Sequence, residues 1–267
     1  MEFAVAFLQT LDELQFINIL SWAIILLAFI VEICLIFLKA DYGRYFRSNS
    51  WQNWLSAADA RLAWFVQELP AFVIPCALLF YARKDTLGLT PNTILLSLFV
   101  LHYSHRSLIY PWLITGGKPT PVFLASLAFS FCAINGYIQA RYLTRYAYYE
   151  MSWLTNPCFV VGVLSFFTGM AINIHSDHIL RSLRKPGETG YKIPRGGMFT
   201  YVSGANFLGE IVEWSGFALA CWSIPGLAFL FFTLFNIGPR AIQHHNWYLQ
   251  KFEDYPKSRK ALIPFVL

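Results

Sequence analysis

The residues best suited to ligand chemistry lie between positions 171 and 215, in the longest polar interval of the chain. This interval contains five glycines and five cations, which are Arg181, Arg184, Lys185, Lys192 and Arg195. Lysine and arginine side chains bind phosphate, and so do the backbone N–H groups of glycine-rich turns. Small polar side chains lie at its edges: Asn173, His175, Asp177, Asn206 and Glu210. Two interpretations follow, a cradle for a phosphorylated ligand and a cytosolic loop that is basic as such loops are.

Two side chains within apolar segments, Glu68 and Tyr103, are the candidates for catalysis. An ionisable residue inside a membrane span is costly, so it is a functional candidate by default. Glu68 is predicted roughly 9 Å from the cytosolic end of its segment, at about 1.5 Å per residue, and Tyr103 at a similar depth. Such a pair can form a short hydrogen bond and polarise a carbonyl group, with Tyr103 donating to the carbonyl oxygen. The alternatives are a glutamate satisfied by a neighbouring helix and a packed aromatic ring.

Two further glutamates, Glu210 and Glu213, are three residues apart and are predicted to share one helix face. They could bind a ligand, pair with Arg181 or Arg184, or cap the helix. Glu32 is isolated within its apolar segment, and no role is assigned to it.

The histidines and cysteines were considered as metal ligands. The six histidines form three pairs: His102 and His105, His175 and His178, His244 and His245. Membrane di-iron oxygenases use more histidines in tighter boxes, so we predict no metal site and expect the histidines to hydrogen-bond around an anionic ligand. The five cysteines lie in or beside apolar runs without C-x-x-C spacing, which indicates buried thiols. The sequence has neither a P-loop nor a Rossmann fingerprint.

The composition indicates an integral membrane protein. Hydrophobic residues make up 57% of the chain and charged residues 13%, with a mean hydropathy of +0.48. Soluble domains carry about 25% charged residues. Seven apolar segments predict an all-α membrane domain spanning the whole chain, 1–267; the spans lie near 16–38, 62–82, 92–112, 120–140, 157–175, 205–223 and 225–243. The net charge of +5 is explained by loop position and does not indicate nucleic-acid binding.

The distribution of lysine and arginine predicts the orientation of these spans. The loops 39–61, 113–119, 176–204 and the C-terminal tail hold fourteen cations, and the alternate loops hold four. Cytosolic loops are enriched in lysine and arginine. The N-terminus is therefore predicted outside and the C-terminus in the cytosol, with the 176–204 loop facing soluble phosphorylated cofactors.

Four stretches are similar to the steroid 5α-reductase family. They are residues 171–214, AWFVQELPAF at 63–72, HYSHR at 102–106 and FEDYPKSRKALIPF at 252–265. The resemblance implies a seven-helix, multi-pass enzyme of a bacterial inner membrane or, in a eukaryote, of the endoplasmic reticulum. It also implies NADPH as cofactor, a steroid substrate that enters from the lipid, contact with membrane lipids, and no obligatory protein partner.

The resemblance also implies roles for individual residues. Gln67, Glu68 and Tyr103 match the catalytic positions, and Trp64 and Trp214 match aromatic walls of the substrate pocket. The cofactor-binding or essential polar set is Arg106, Lys118, Asn173, Asp177, Arg184, Tyr191, Asn206, Glu210, Arg240, His244 and Tyr248. The implied reaction moves a hydride from NADPH to C5 of a 3-oxo-4-ene steroid while Tyr103, held by Glu68, polarises the C3 carbonyl. A proton then adds at C4.

Two other functions stay open at this point. One is a reductase of the same fold that acts on another lipid, such as an enoyl thioester or a polyprenal. The other is a membrane protein that binds or transports lipid without catalysis. Consumption of the cofactor with an enone would separate the second from the first, and a substrate panel would separate the two reductases.

Overall fold

A computed structural model describes residues 12–40, 43–53, 56–86, 88, 90–115, 118–183 and 190–267. Within these ranges the chain is mostly helical, as predicted. The α-helices are α1 (Glu13–Phe37), α2 (Ala60–Glu68), α3 (Pro70–Leu79), α4 (Pro91–Tyr103), α5 (Tyr110–Leu113), α6 (Val122–Arg141), α7 (Pro157–Ser182), α8 (Ala205–Cys221) and α9 (Ile224–Lys251). Two strands of two residues each, β1 (Ala57–Ala58) and β2 (Thr120–Pro121), pair antiparallel and join the segment before α2 to the start of α6.

Five helical segments of the described chain are long and apolar enough to cross a membrane. They are Glu13–Phe37, Ala60–Leu79, Val122–Tyr146, Pro157–Ser182 and Ile224–Lys251. Two further segments lie where the third and sixth spans are predicted: α4 continues through a π-helical turn, Ser104–Ile109, into α5, and α8 has 17 residues. Each predicted span thus coincides with a helical segment, while the number that crosses stays a prediction.

Several predicted boundaries were too short. The fifth segment, predicted near 157–175, continues to Ser182, and the seventh, predicted near 225–243, continues to Lys251. The fourth, predicted near 120–140, is extended through Tyr146 by a π-helical turn. Hydropathy marks only the apolar part of a helix, whereas the backbone hydrogen bonds continue through polar sequence. Asp177 therefore lies on the same helix as Asn173, and not in the 176–204 loop as the sequence indicated.

Glu68 and Tyr103 both lie beside an interruption of regular helix. Pro70 has no N–H group to donate to the carbonyl of Val66, so α2 ends at Glu68 and α3 begins at Pro70. Tyr103 is the last residue of α4, immediately before the π-helical turn. Such turns are frequent at functional sites because the wider turn changes the direction of the side chains that follow.

The backbones of α7 and α8 touch at two pairs of glycines. Gly169 lies against Gly209, and Gly162 lies against Gly216. A Cβ atom on any of the four would overlap backbone atoms of the opposite helix. This close approach brings the C-terminal half of α7 against the N-terminal half of α8, so Asn173 reaches Asn206.

The segment after α9, which the sequence indicated only as a polar tail, is packed against the protein. Lys260 pairs with Val202 in a parallel bridge, and the N–H of Ser203 donates to the carbonyl of Lys260 at 2.8 Å. The side chains of Tyr255 and Arg259 are buried. Hydropathy did not indicate this packing because the segment combines charged residues with isolated aromatic residues.

A carboxylate at the start of α1 joins that helix to α6. Glu13 accepts hydrogen bonds from Arg141 Nε at 2.6 Å and Arg141 Nη2 at 2.9 Å. It also accepts from the hydroxyl groups of Tyr137 at 2.9 Å and Tyr146 at 2.5 Å. This cluster lies at one end of the bundle, and Asn173 and Asn206 lie at the other end. The reason is that α7 begins at the end that holds the cluster and runs away from it.

Arg141→Leu is expected to reduce the free energy of unfolding by about 1–3 kcal/mol, because Glu13 loses a bidentate charged partner in a partly buried site. The measurement is the melting temperature of the purified protein in detergent. Arg145→Leu is the matched control, since Arg145 is exposed and four residues further on; its effect should stay within about 0.5 kcal/mol. Equal melting temperatures for the two variants would contradict the role assigned to Glu13.

Candidate active site

The two proposed catalytic side chains lie close together but have different polar neighbours. Cys132 Sγ donates to Glu68 Oε2 at 3.8 Å, and the Tyr103 hydroxyl is within hydrogen-bonding reach of the Asn135 side chain. The charge of Glu68 acts on Tyr103, yet the described contacts contain no hydrogen bond between them. The direct bond predicted from their matched depth is therefore not formed here. Depth along a helix does not determine the rotation of the helix, and rotation determines which partner a side chain meets.

Asn135 connects Tyr103 to the beginning of α9. Gln139 Nε2 donates to Asn135 Oδ1 at 3.1 Å and to the carbonyl oxygen of Pro225 at 2.6 Å. Asn135 and Gln139 are one helical turn apart on α6 and are both buried. Asn135, a polar neighbour of the Tyr103 hydroxyl, thus belongs to a polar chain that crosses from α6 to α9.

Aromatic rings enclose Tyr103 on its other sides. Its ring centroid lies 4.8 Å from that of Phe99, 6.1 Å from that of Trp214, and 6.4 Å from that of Phe229 in a stacked arrangement. Trp214 is completely buried, and Gln67 on α2 is buried as well. The surroundings of Tyr103 are therefore largely apolar, which suits a lipophilic ligand.

A buried polar pair adjoins this cluster. His102 Nδ1 and Glu213 Oε1 are 2.7 Å apart, and both side chains are buried. The sequence suggested Arg181 or Arg184 as an ionic partner; Glu213 pairs with His102 instead of Arg181, and Arg184 lies outside the described residues. No sequence pattern indicates this pair, because its members are 111 residues apart.

A second group of polar residues is centred on Arg106, which lies within the π-helical turn. Arg106 Nη1 donates to Asp177 Oδ2 at 3.3 Å, and its guanidinium group lies 4.8 Å from the ring centroid of Trp64 and 4.4 Å from that of Tyr110. The negative charge of Glu210 interacts electrostatically with both Arg106 and Asp177.

The glycine contact between α7 and α8 completes this group. Asn173 Nδ2 donates to the carbonyl oxygen of Asn206 at 2.9 Å, and the side chains of Asp177 and Asn206 are hydrogen-bonded. The residues predicted on the two edges of the polar interval are thus brought together in one place. Carboxylate and amide groups of this kind suit the hydroxyl groups of a ribose.

A third group lies on the last turns of α9. The ring of His244 is 5.5 Å from that of Tyr45 and 5.3 Å from that of Phe207, and the charge of Arg240 acts on it. Tyr248 is buried, and its ring stacks on Tyr255 at 5.1 Å. Phe207 follows Asn206 on α8, so this group adjoins the previous one.

Some predicted cofactor residues are not part of these groups. Lys118 is exposed, and no contact described here links it to the others. Arg184 lies outside the described residues, as does Lys185. Arg195 pairs at 3.8 Å with Asp254, where both side chains are mostly exposed.

Sequence reasoning missed three residues of the site: Arg44, Cys132 and Asn135. Cys132 was interpreted only as a buried thiol, and Asn135 lies in a predicted span without an ionisable group. Arg44 Nη2 donates to the hydroxyl of Tyr248 at 3.2 Å from a turn 204 residues earlier in the chain. An arginine in a loop can be exposed to solvent without a free-energy cost, so its position in the sequence does not indicate such a contact.

The Arg106 group fits an anionic ligand by one structural criterion. Arg181 Nη1 is buried and has no hydrogen-bond partner among the described residues, while its guanidinium group lies 6.0 Å from the ring of Tyr110. A buried donor without an acceptor costs about 1–3 kcal/mol, and an anionic oxygen would remove that cost. In the described chain, no group of three or more His, Cys, Asp or Glu side chains is arranged to hold a metal ion.

Comparisons with known proteins agree on one family. A family model described as 3-oxo-5-alpha-steroid 4-dehydrogenase matches residues 118–267. The chain is 53% identical to 3-oxo-5-alpha-steroid 4-dehydrogenase 1 of Mus musculus over 257 residues, which cover 96% of this chain and 99% of the relative. It is 56% identical to the Homo sapiens type 1 protein over 209 residues, covering 78% and 80%. It is 54% identical to the Sus scrofa type 2 protein over 227 residues, covering 85% and 88%.

Proposed function

The chain belongs to the 3-oxo-5-alpha-steroid 4-dehydrogenase family, and on that premise we propose that it reduces the 4,5 double bond of 3-oxo-4-ene steroids. The products are 5α-3-oxosteroids, and the cofactor is NADPH. The observation that carries this proposal is the 53% identity over 96% of the chain to a protein named for the activity. The buried, aromatic surroundings of Tyr103 support a rigid lipophilic substrate.

NADPH, when bound, supplies the hydride that reduces the double bond. The residues that would hold it are the Arg106 group and the last turns of α9. Arg181 Nη1, which has no hydrogen-bond partner among the described residues, suits a phosphate group, and Asp177 and Glu210 suit ribose hydroxyls. Both groups lie on the same end of the bundle as the loop between α7 and α8, which adds the cations Lys192 and Arg195.

Tyr103 is proposed to donate a hydrogen bond to the C3 oxygen of the steroid. This draws electron density from the conjugated double bond and stabilises the negative charge that develops on that oxygen during reduction. Asn135 orients the hydroxyl, and the carboxyl group of Glu68 lies near enough to act on it electrostatically. The enclosing rings of Phe99, Trp214 and Phe229 exclude water, which strengthens the hydrogen bond.

The substrate is proposed to enter from the surrounding lipid, because 3-oxo-4-ene steroids partition into membranes. Arg106 lies between Trp64 and Asp177, so it separates an aromatic region suited to steroid from a polar region suited to cofactor. The alternative, a reductase of the same fold for another lipid, would use the same polar region with a different substrate.

The test is product analysis with purified protein, NADPH and testosterone or progesterone. The proposal expects a product two hydrogen atoms heavier with 5α stereochemistry, and deuterium from C4-labelled NADPH at C5. An enoyl thioester and a polyprenal complete the substrate panel. Reduction of either of these without reduction of a steroid would contradict the proposed substrate class, and no consumption of NADPH with any of them would contradict catalysis.

We further propose a single seven-span domain with the candidate site on the cytosolic side. The polar groups of the site lie on the C-terminal ends of α7 and α9 and the N-terminal end of α8, while Glu13 and Arg141 lie on the opposite end. Gln243 supports the arrangement, because its Nε2 donates to the carbonyls of Leu35 and Leu38 at the end of α1. The cation count of the loops then places the site end in the cytosol.

Cysteine labelling in sealed vesicles with the cytosolic face outward tests this topology. Ser258→Cys should react with an impermeant maleimide at once, whereas Ser152→Cys should react only after detergent is added. Both serines are exposed, and the two substitutions are chemically matched. Labelling of both without detergent would mean that the three intervening helical segments do not cross the membrane an odd number of times.

A further inference from the structure

The guanidinium group of Arg44 is enclosed by three aromatic rings. It lies 5.4 Å from the ring centroid of Tyr191, 4.8 Å from that of Trp247 and 4.7 Å from that of Tyr248. Its Nη2 atom also donates to the Tyr248 hydroxyl at 3.2 Å. We call these four residues the Arg44 box. Cation–π contacts and the hydrogen bond fix the orientation of the guanidinium group, although it comes from a loop.

The Arg44 box holds a positive charge without neutralising it. Arg44 Nη1 is buried and has no hydrogen-bond partner among the described residues, and the ion pairs described for those residues include none to Arg44. The charges of Arg44 and Arg240 both act on His244. A buried cationic donor that lacks an acceptor is unfavourable, so the site favours an anion that reaches Nη1.

The position of the box indicates the class of anion. Tyr191 and Tyr248 belong to the predicted cofactor set, and Tyr45, next to Arg44, contacts the ring of His244. His244 in turn contacts Phe207, which follows Asn206 of the Arg106 group. The box therefore continues the polar region on its outer side. Nη1 is the Arg44 donor without a partner among the described residues, and arginine binds phosphate oxygens through such N–H groups.

We propose that Arg44 binds a phosphate group of the dinucleotide cofactor, an inference that rests on the proposed function. The sequence pointed instead to Arg184, Lys185, Lys192 and Arg195 for this contact. Lys192 and Arg195 are exposed, and Arg195 faces Asp254. A half-buried guanidinium group held by aromatic rings makes a stronger phosphate contact than an exposed lysine, because solvent screens it less and fewer side-chain conformations compete.

The test is equilibrium binding of NADPH and NADH to the detergent-purified protein, measured by quenching of tryptophan fluorescence without substrate. Arg44→Gln is expected to raise the Kd for NADPH about 10- to 100-fold, the loss of one charge-assisted hydrogen bond. If the contact is to the 2′-phosphate, the Kd for NADH will not change. If the contact is to the pyrophosphate, both Kd values will rise together. Arg47→Gln, an exposed arginine in the same loop, is the control and should leave both values unchanged.

Two results would overturn the inference while leaving the proposed function intact. One is wild-type binding of both nucleotides by Arg44→Gln, which would make the box a structural contact only. The other result comes from Arg44→Lys, which is measured if Arg44→Gln does not fold. Lysine keeps the positive charge but lacks the planar guanidinium group. A wild-type Kd for NADPH in Arg44→Lys would show that the oriented guanidinium edge is not needed. Failure of the wild-type protein to bind either nucleotide would instead overturn the proposed function.

Discussion

Tyr103→Phe is expected to lower kcat about 100- to 1,000-fold while the Kd for NADPH stays within about twofold of the wild-type value. The substitution removes one hydroxyl group and keeps the ring that packs against Phe99, Trp214 and Phe229. If that hydroxyl donates to the C3 oxygen, its loss affects the negative charge that develops during reduction more than it affects binding. Single-turnover rates and nucleotide binding are measured on the same preparation.

Tyr142→Phe is the matched control, since Tyr142 packs against the same core cluster as Tyr103. It should retain most of the activity. A Tyr103→Phe enzyme that kept more than about a tenth of the wild-type rate would show that another group polarises the carbonyl. The next candidate would then be the neighbouring pair of His102 and Glu213, which is buried beside the same rings.

Glu68→Gln extends the same experiment, because Glu68 contacts Cys132 and does not bond directly to Tyr103. If Glu68 acts through its charge alone, the neutral amide should lower kcat strongly with little change in NADPH affinity. Equal activity of Glu68→Gln and wild type would show that Glu68 contributes to packing only.

Gly209→Ala is expected to prevent stable folding, with a loss of at least about 3 kcal/mol. The added Cβ would meet the backbone of Asn173 and Gly169 on α7, and backbone atoms cannot move aside as a flexible side chain can. The helices would have to separate, and separation would also break the hydrogen bond from Asn173 to Asn206. The measurements are the yield of monodisperse protein and its melting temperature.

Gly238→Ala provides the control within α9. A Cβ atom at Gly238 meets no atom within 4 Å, so alanine should be neutral or stabilise the helix by up to about 1 kcal/mol. The comparison separates the cost of the helix contact from the general effect of replacing glycine by alanine. Normal folding of Gly209→Ala would show that α7 and α8 can separate without loss.

The sequence by itself determined where the helical segments lie and which groups within them are unusual. Apolar runs of about 20 residues predict helices because transfer of each side chain into lipid is a local property. The same argument singled out Glu68 and Tyr103. A polar group in an apolar run has a free-energy cost of transfer into lipid, and this cost can be recognised without knowing the partner of the group. The sequence also singled out Asn173 and Asn206 at the edges of the polar interval, and a hydrogen bond joins them in the structure.

Only the tertiary structure decided which partner each polar group meets. The sequence could not show that Glu213 pairs with His102, that Glu68 contacts Cys132, or that Arg44 reaches Tyr248. These contacts depend on the rotation of each helix about its axis and on how closely its neighbour approaches, which at α7 and α8 is set by glycines. Rotation and approach result from packing over the whole bundle, whereas hydropathy is a sum over neighbouring residues in the chain.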